Sequence, residues 1–191
     1  MGLLNWRKLE EHFGTDSEYL GFLRDSPSAA QRLCHILSNS RFLGDALNKS
    51  VESVTWLGSD NDLQPRSRES LDVQTHASLE RNAGSINDFA NSIRAMRRHE
   101  IERIGLGWMS GVIDDKASLA GMTDVYDAAI DASLTWAIRH QTQEMGLDEA
   151  PAAIAVIGMG RYGGREVNFS SDADVIIIYR PSDNADDNQA N

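Results

Sequence analysis

Hydrophobic residues recur at helical spacing through most of the first 148 residues. One apolar stripe, with intervals of three to five residues, runs from Phe89 to Val112, and a second runs from Leu119 to Ile138. Thr123-Asp124 lies inside the second stripe and could cap a fresh helix, because a threonine hydroxyl can accept from free N–H groups of a first turn. The pattern therefore predicts a helical region over residues 1–148.

An earlier helix is predicted to begin at Ser26-Pro27, since proline is tolerated in a first helical turn. The polar segment from Gly58 to about Glu69 contains Pro65 and has no apolar period, which predicts a loop. We interpret the whole region as a helical bundle. The earlier helix and its continuation are expected to present an apolar face made of Leu33, Ile36, Leu37, Phe42, Leu43 and Leu47.

The periodicity changes after Gly146. Ile154–Ile157 and Val175–Tyr179 are short β-branched runs, which predict two buried strands and hence an α+β fold. Residues 149–180 are then the start of a second domain, and the polar, acidic residues 181–191 are predicted to be disordered. Because two strands do not make a stable sheet domain, we expect the chain to be a fragment or to be cut inside its second domain.

Composition narrows the classes of function. A net charge of −11 argues against a general nucleic-acid binder, although an acidic protein can bind a nucleotide through a divalent cation. Cys34 is the single cysteine, so a disulfide framework and a CxxC metal site are excluded, and we predict a buried helical thiol in a reducing, cytoplasmic protein. No apolar run approaches about 20 residues, so no membrane span is predicted.

A literal G-x-G-x-x-G follows the first predicted strand, between Gly158 and Gly163. A dinucleotide site would need a crossover helix after it, and such a crossover takes about 10–12 residues or more. Only the residues from Arg165 to Ser171 separate the glycines from Asp172, so the dinucleotide interpretation is disfavoured. A Walker phosphate loop is excluded, because no Gly-Lys-Ser/Thr follows.

Two aspartates open the second predicted strand. Asp172 and Asp174 are two positions apart, so on an extended backbone both side chains point to one face. Two carboxylates on one face repel each other unless a hard cation lies between them, and magnesium suits such a pair. An isolated Asp-x-Asp is usually a solvated loop. Here the upstream Gly163-Gly164 pair, which lets backbone approach a triphosphate, and the nearby serines favour nucleotidyl transfer.

The run from Ala155 to Val175 closely resembles the bifunctional glutamine synthetase adenylyltransferase/adenylyl-removing enzymes of bacteria. Residues 26–56 and 97–105 also resemble the helical segment that precedes a catalytic domain in that family. The resemblance implies the first two strands of a polymerase-β-like nucleotidyltransferase mixed sheet. It also implies a large enzyme with two such domains, and the helical segment looks more like that of the adenylylating C-terminal half.

The resemblance assigns roles to individual residues. Gly163, Gly164 and Ser171 match the phosphate-cradling loop, and Asp172 and Asp174 match the carboxylates that bind two magnesium ions, with ATP as substrate. The family's third carboxylate lies on a later strand that this sequence does not contain. We therefore expect this chain to be inactive alone.

The same resemblance implies a substrate and partners. The complete enzyme would move AMP from ATP to a tyrosine of glutamine synthetase, with a nitrogen-signalling regulatory protein as a further partner. Two alternatives stay open: the half that removes the AMP by phosphorolysis, and a non-catalytic helical docking module for glutamine synthetase or a nitrogen regulator.

The other conspicuous side chains have ordinary interpretations. The five histidines share no metal-ligand spacing. The basic cluster of Arg94, Arg97, Arg98 and Arg103 predicts a solvated face or intrahelical pairs with Glu100 and Glu102. Trp56, Trp108 and Trp136 are predicted to be core residues.

Overall fold

A computed structural model describes residues 2–14 and 17–182 of the chain. Helices dominate, and the two strands follow them, which confirms the α+β class. The rest of the predicted disordered tail, residues 183–191, lies outside the described residues. The elements are α1 (Gly2–Phe13), α2 (Ser17–Asp25), α3 (Pro27–Asn39), α4 (Arg41–Leu47), α5 (Val51–Trp56), α6 (Arg68–Arg81), α7 (Ile86–Met109), α8 (Asp115–Glu144), β1 (Ala152–Gly158), α9 (Gly160–Gly163) and β2 (Val175–Pro181).

Helix starts follow local capping chemistry. Pro27 opens α3 directly after Ser26, as predicted. Helices α4, α5 and α6 each follow a serine whose hydroxyl accepts a hydrogen bond from a first-turn N–H, at Ser40, Ser50 and Ser67 respectively. The predicted loop from Gly58 therefore ends where Ser67 caps α6.

The chain forms two compact units. Residues up to Arg66 and those from Arg98 to Ser118 form the first, whereas Ser67–Arg97 and the residues from Leu119 onward form the second. The long helices α7 and α8 contribute residues to both units. The core of the first unit contains Leu9, Tyr19, Ala29, Leu33, Ile36, Leu37, Leu43, Leu47, Val54, Trp56, Leu57, Leu63 and Leu106.

Part of the basic cluster of α7 is buried in the first unit. Arg103 pairs with Glu100 at 3.2 Å, and the Glu100 side chain is only 2% exposed. The Arg103 guanidinium also lies 4.0 Å from the centre of the Trp56 ring and donates to the Asp62 carbonyl. The predicted intrahelical pair is therefore confirmed for Arg103, but a solvated face is wrong for it, because its charge is compensated inside the core. Arg98, by contrast, is exposed.

Helix α8 has no boundary at Thr123. The Thr123 side chain is buried, and its hydroxyl donates to the Leu119 carbonyl one turn earlier, at 2.8 Å. The hydroxyl is therefore hydrogen-bonded to the preceding turn of a continuous helix and does not cap a new one. The suggested helix start at Thr123 is wrong. Further along α8, Trp136 stacks on Phe89 with ring centres 5.8 Å apart, in the core of the second unit.

Three side chains predicted to be buried are exposed. Cys34 is next to the buried Leu33 and Phe42 is next to the buried Leu43, but both side chains lie on the outward faces of their helices. Trp108 is 43% exposed and donates its indole N–H to an Asp115 carboxylate oxygen at 2.7 Å. The other two predicted core tryptophans, Trp56 and Trp136, are buried.

The strands pair antiparallel, with Val156 opposite Ile177. Their predicted burial is wrong: β2 is exposed along its whole length, and Ile177 is 64% exposed. A strand is buried only when layers cover both of its faces, and in the described residues α7 and α8 cover the sheet only in part. A groove of about 550 Å³ is lined by Ile93, Arg94, Arg97, Ala129, Ile130, Ser133, Leu134, Val156, Ala173, Val175 and Ile177.

Within the described residues, no helix combines the length and the apolar character that a membrane crossing requires.

Candidate functional site

The glycine loop, defined here as residues 158–165, turns back sharply on the end of β1. A Cβ at Gly163 would lie 2.4 Å from the Gly158 carbonyl oxygen, closer than any side chain allows. Gly160 has a φ of 53°, and a Cβ there would lie 3.3 Å from a carboxylate oxygen of Asp174. Glycine is therefore required at 163 for close packing and favoured at 160 by backbone conformation.

The short helix α9 inside this loop ends in a Schellman motif. The Arg165 N–H donates to the Tyr162 carbonyl at 3.1 Å, and the Glu166 N–H donates to the Arg161 carbonyl at 2.7 Å. Arg165 occupies the left-handed position of the motif, with a φ of 57°. Glycine is the usual residue at that position, because other side chains are strained there.

A polar turn fixes the residues that precede the aspartate pair. The Asn168 side-chain oxygen accepts from the Ser170 N–H, the Ser170 hydroxyl and the Ser171 hydroxyl, each at 3.0 Å. In return, the Ser171 hydroxyl oxygen accepts from the Asn168 N–H, also at 3.0 Å. The position of Ser171, and with it the start of the aspartate segment, is set by these bonds.

The aspartate segment is tied directly to the glycine loop. The Met159 N–H donates to the Asp174 carbonyl at 2.8 Å, immediately before β2 begins. Asp172 and Asp174 are both exposed. They line one pocket of about 380 Å³, whose full lining is Gly160, Arg161, Ser170, Ser171, Asp172 and Asp174. The pocket therefore presents two carboxylates, two hydroxyl-bearing residues and one cationic residue to solvent.

The structure brings together three of the five predicted site residues. Ser171, Asp172 and Asp174 line the pocket, whereas Gly163 and Gly164 lie in the loop behind its lining. Sequence reasoning missed Arg161 and the organising role of Asn168. The asparagine had a readable signal, because Asn-x-Ser-Ser is a pattern in which side chains commonly bond nearby backbone.

Helix α8 holds the loop and the aspartate segment from one side. The Tyr126 hydroxyl donates to the Ser171 carbonyl at 3.1 Å, and the Tyr162 hydroxyl donates to Asp127 at 2.7 Å. Burial and the bond to this carboxylate raise the pKa of Tyr162, so its phenol stays a donor. Arg165 donates to Asp124 at 2.6 Å, and this bond raises the pKa of the Arg165 guanidinium.

The donor set of the pocket suits a cation that shares its ligands with a substrate. No cluster of three or more His, Cys, Asp or Glu side chains able to hold a metal occurs in residues 2–14 and 17–182. Magnesium needs no such cage, since one or two carboxylates with water and phosphate oxygens complete its shell. Asp172 and Asp174 therefore fit magnesium in the presence of a polyphosphate.

The strand arrangement is inconsistent with a dinucleotide fold at this loop. β1 and β2 are adjacent and antiparallel, and only the four-residue α9 lies between them. A dinucleotide-binding unit has parallel strands joined by a full crossover helix. The disfavoured interpretation of the G-x-G-x-x-G run is therefore wrong on structural grounds as well.

Comparison with known proteins identifies the family. The profile of the glutamate–ammonia ligase adenylyltransferase family matches residues 30–191. The bifunctional glutamine synthetase adenylyltransferase/adenylyl-removing enzyme of Bifidobacterium longum (strain DJO10A) is 77% identical over 191 residues, which are 100% of this chain and 18% of that protein. The protein of the same description from Leifsonia xyli subsp. xyli is 39% identical over 180 residues, 94% of this chain and 17% of its own length.

A more distant relative gives the same result. The Mycobacterium leprae protein with that description is 36% identical over 192 residues, 99% of this chain and 19% of its own length. The chain thus spans less than a fifth of the length of these curated relatives. Since the family profile covers most of the chain, including the glycine loop and both aspartates, the chain belongs to the glutamate–ammonia ligase adenylyltransferase family.

Proposed function

We propose that this chain provides part of the magnesium–ATP binding site of an enzyme that transfers AMP from ATP to a tyrosine of glutamine synthetase. The observation that carries the proposal is the pocket in which Ser171, Asp172 and Asp174 meet the glycine loop at Gly160. The names of the relatives, which combine adenylyl transfer to glutamine synthetase with adenylyl removal, support this general class of reaction.

Asp172 and Asp174 would hold two magnesium ions together with the phosphates of ATP. When bound, magnesium neutralises phosphate charge and polarises the reacting oxygens. The chain's own contribution is to hold the backbone that carries both aspartates, through the Met159–Asp174 backbone bond and the Asn168 turn before Ser171. A backbone that is already in place leaves only side-chain rotation to be completed when the nucleotide arrives.

The remaining wall of the pocket is suited to a polyphosphate. Arg161 lines it, and a guanidinium can form paired hydrogen bonds with phosphate oxygens. Gly163, in the loop beside this lining, lets the loop pack against the Gly158 carbonyl at the end of β1, and Gly164 follows it directly. We propose that Gly163, Gly164 and Ser171 shape the phosphate cradle, with Ser171 as the hydroxyl in contact.

The transfer forms a bond between the tyrosine phenol oxygen and the α-phosphorus of ATP. The bond between that phosphorus and the bridging oxygen to the β-phosphate breaks, pyrophosphate leaves, and the phenol proton passes to water. A third carboxylate, which the family resemblance places on a later strand, would come from outside the described residues. We therefore expect this chain to bind ATP more readily than it turns ATP over.

Calorimetry of ATP binding tests the site. We expect the chain to bind ATP with magnesium, to lose that binding in EDTA, and to lose it in Asp174→Asn. Asp148→Asn is the matched control, because Asp148 is exposed and outside the pocket lining. Equal affinity of Asp174→Asn and the unsubstituted chain would overturn the site assignment.

A graft tests the activity and separates the alternatives. This chain replaces the matching segment of the Bifidobacterium longum relative, with or without Asp174→Asn, and both AMP incorporation into glutamine synthetase and phosphorolytic AMP release are measured. If the graft with Asp174→Asn loses only AMP incorporation relative to the unsubstituted graft, the chain belongs to the adenylylating half. Loss of release alone assigns the removing half, and loss of neither leaves the helical docking role for glutamine synthetase or a nitrogen-signalling regulator.

A further inference from the structure

We infer that Arg165 is a positioning residue, which anchors the glycine loop to helix α8 through Asp124 and Asp127 and so fixes the pocket for phosphate. The identity of the ligand rests on the proposed function above. The anchor itself is a structural property of the loop and can be measured without a ligand.

The backbone conformation at Arg165 is strained for any residue that has a side chain. Arg165 fills the left-handed position of the Schellman motif, where glycine would fit without strain. An arginine there costs free energy that glycine would not cost. The strain is offset only if the side chain makes contacts that glycine cannot make.

Arg165 makes those contacts with one turn of α8. Its guanidinium donates to Asp124 at 2.6 Å and to Asp127 at 3.3 Å. Both carboxylates are about three-quarters buried, at 24% and 25% exposure, whereas Arg165 is 53% exposed. Partly buried carboxylates on a rigid helix are fixed partners, so the arginine is held by α8 and not the reverse.

Neighbouring contacts strengthen the same attachment. The Tyr162 hydroxyl, three residues earlier in the loop, also donates to Asp127. Arg68 also pairs with Asp127, 3.5 Å from the same carboxylate oxygen that Arg165 contacts. The loop is therefore attached to α8 at both Tyr162 and Arg165.

The same turn of α8 also reaches the aspartate segment. Tyr126, between the two carboxylates in sequence, donates to the Ser171 carbonyl. One helical turn, residues 124–127, thus holds both the glycine loop and the residue before Asp172. This turn of α8 therefore acts together with the direct Met159–Asp174 bond in holding the glycine loop beside the proposed metal-binding carboxylates.

The competing explanation is that Arg165 binds phosphate directly. The two roles predict opposite effects of removing the Asp124 charge. If Arg165 is an anchor, Asp124→Asn loosens the loop and weakens ATP binding. If Arg165 is a phosphate ligand, Asp124→Asn frees the guanidinium and leaves ATP affinity equal or higher.

The first experiment measures the dissociation constant of magnesium–ATP and the thermal midpoint for Arg165→Gly, Arg165→Lys and Asp124→Asn. We expect Arg165→Gly and Asp124→Asn to weaken binding about tenfold, because each removes the charged hydrogen bonds of the anchor. The midpoint of Arg165→Gly should change little, because glycine relieves the backbone strain. Arg165→Lys should keep most of the affinity. Glu80→Gln, which removes the exposed Arg139 pair of the same unit, should change nothing.

A charge exchange tests the pairing itself. Asp124→Arg combined with Arg165→Asp restores an ion pair of reversed direction, and aspartate tolerates the left-handed conformation better than most residues. Recovery of affinity in the double variant, relative to either single variant, supports an anchor. Unchanged affinity in Arg165→Gly, or higher affinity in Asp124→Asn, overturns it.

Hydrogen exchange separates the anchor from the proposed function. Without nucleotide, Arg165→Gly and Asp124→Asn should speed exchange of amides in residues 159–171, with no change in α3. If the unsubstituted chain does not bind ATP, the proposed function fails while this measurement still decides the anchor. Unchanged exchange in both variants overturns the anchor whatever the chain binds.

Discussion

Single glycines decide whether the pocket can form. Gly163 and Gly164 are adjacent and look equivalent in the sequence, yet they meet different surroundings. A Cβ at 163 would lie 2.4 Å from the Gly158 carbonyl oxygen, whereas one at 164 would lie 3.4 Å from the Gly160 oxygen, an ordinary contact. The pair is therefore a matched test of close backbone packing.

We expect Gly163→Ala to destabilise the second unit by about 1–3 kcal/mol, the usual cost of forcing atoms into a packed site. Gly164→Ala should cost much less, since its backbone is in the ordinary right-handed region, with φ −79°. Urea denaturation followed by tryptophan fluorescence, with Trp136 as the reporter of this unit, measures both. Equal losses of free energy in the two variants would contradict the packing explanation.

A second residue-scale prediction concerns Glu102. Its Oε1 atom is buried with no hydrogen-bond partner among the described residues, and burial raises the pKa of its carboxyl. A raised pKa in the folded state means that the protonated form is favoured, so stability from this group is present below its unfolded pKa and is lost as pH rises through the folded value.

Glu102→Gln should therefore raise the free energy of unfolding at pH 7, and the gain should shrink as pH falls through the raised folded pKa and vanish once pH is below the ordinary glutamate range. The measurement is the difference in urea-unfolding free energy between the variant and the unsubstituted chain from pH 7 to pH 4. Glu69→Gln, on an exposed first turn of α6, is the control. If the difference in unfolding free energy grew toward acid pH, the predicted sign of the pH dependence would be wrong.

At the scale of elements, α7 combines an exposed and a buried set of charges. Arg103 is held by Glu100, by the Asp62 carbonyl and by the Trp56 ring. Glu100 also pairs with Arg66 at 3.1 Å.

A loop carbonyl also approaches α7 closely, because a Cβ at Gly107 would lie 2.3 Å from the Leu63 oxygen. These contacts fix the loop before α6 against the helix in the first unit.

Arg103→Met should cost about 3–5 kcal/mol, because it leaves Glu100 buried with one partner fewer. Arg139→Met is the matched control: its pair with Glu80 is exposed on both sides, and such pairs contribute about 0–1 kcal/mol. Thermal and urea unfolding of the two variants measure the contrast. Similar small losses in both would mean that the buried pair is not compensated as the geometry indicates.

At the scale of the whole molecule, the sheet is the least covered part. Ile176, Ile177 and Ile178 are each about half exposed or more, and within the described residues the sheet has two strands only. Two strands without full cover are marginally stable in water. The chain should therefore open locally at β1 and β2 before its helices unfold.

Hydrogen exchange of the unsubstituted chain measures this. Amides in residues 152–181 should exchange faster than those in the buried part of α8, around Val125 and Ala128. Dilution is the control, because slow exchange only at high concentration would show that a second copy covers the sheet. Equal protection of the strands and α8 at every concentration would contradict local opening.

The positions of several helices, both strands and the aspartate pair could be predicted from the sequence itself. Helical periodicity predicted α7 between Phe89 and Val112, the Ser26-Pro27 start of α3, and the β-branched runs that became strands, because these signals depend on neighbours along the chain. The spacing of Asp172 and Asp174 likewise predicted that the two side chains lie together, and both line one pocket. Local signals of this kind do not require knowledge of any distant contact.

Other features were decided only by tertiary structure. Exposure of β2 and Trp108 depends on which layers cover them, and β-branched or aromatic character carries no information about that cover. The same is true of the attachment of Arg165 to Asp124, 41 positions away in the chain. A sequence specifies which contacts a side chain can make, whereas packing decides which partner lies within reach, and that choice sets the geometry of the pocket.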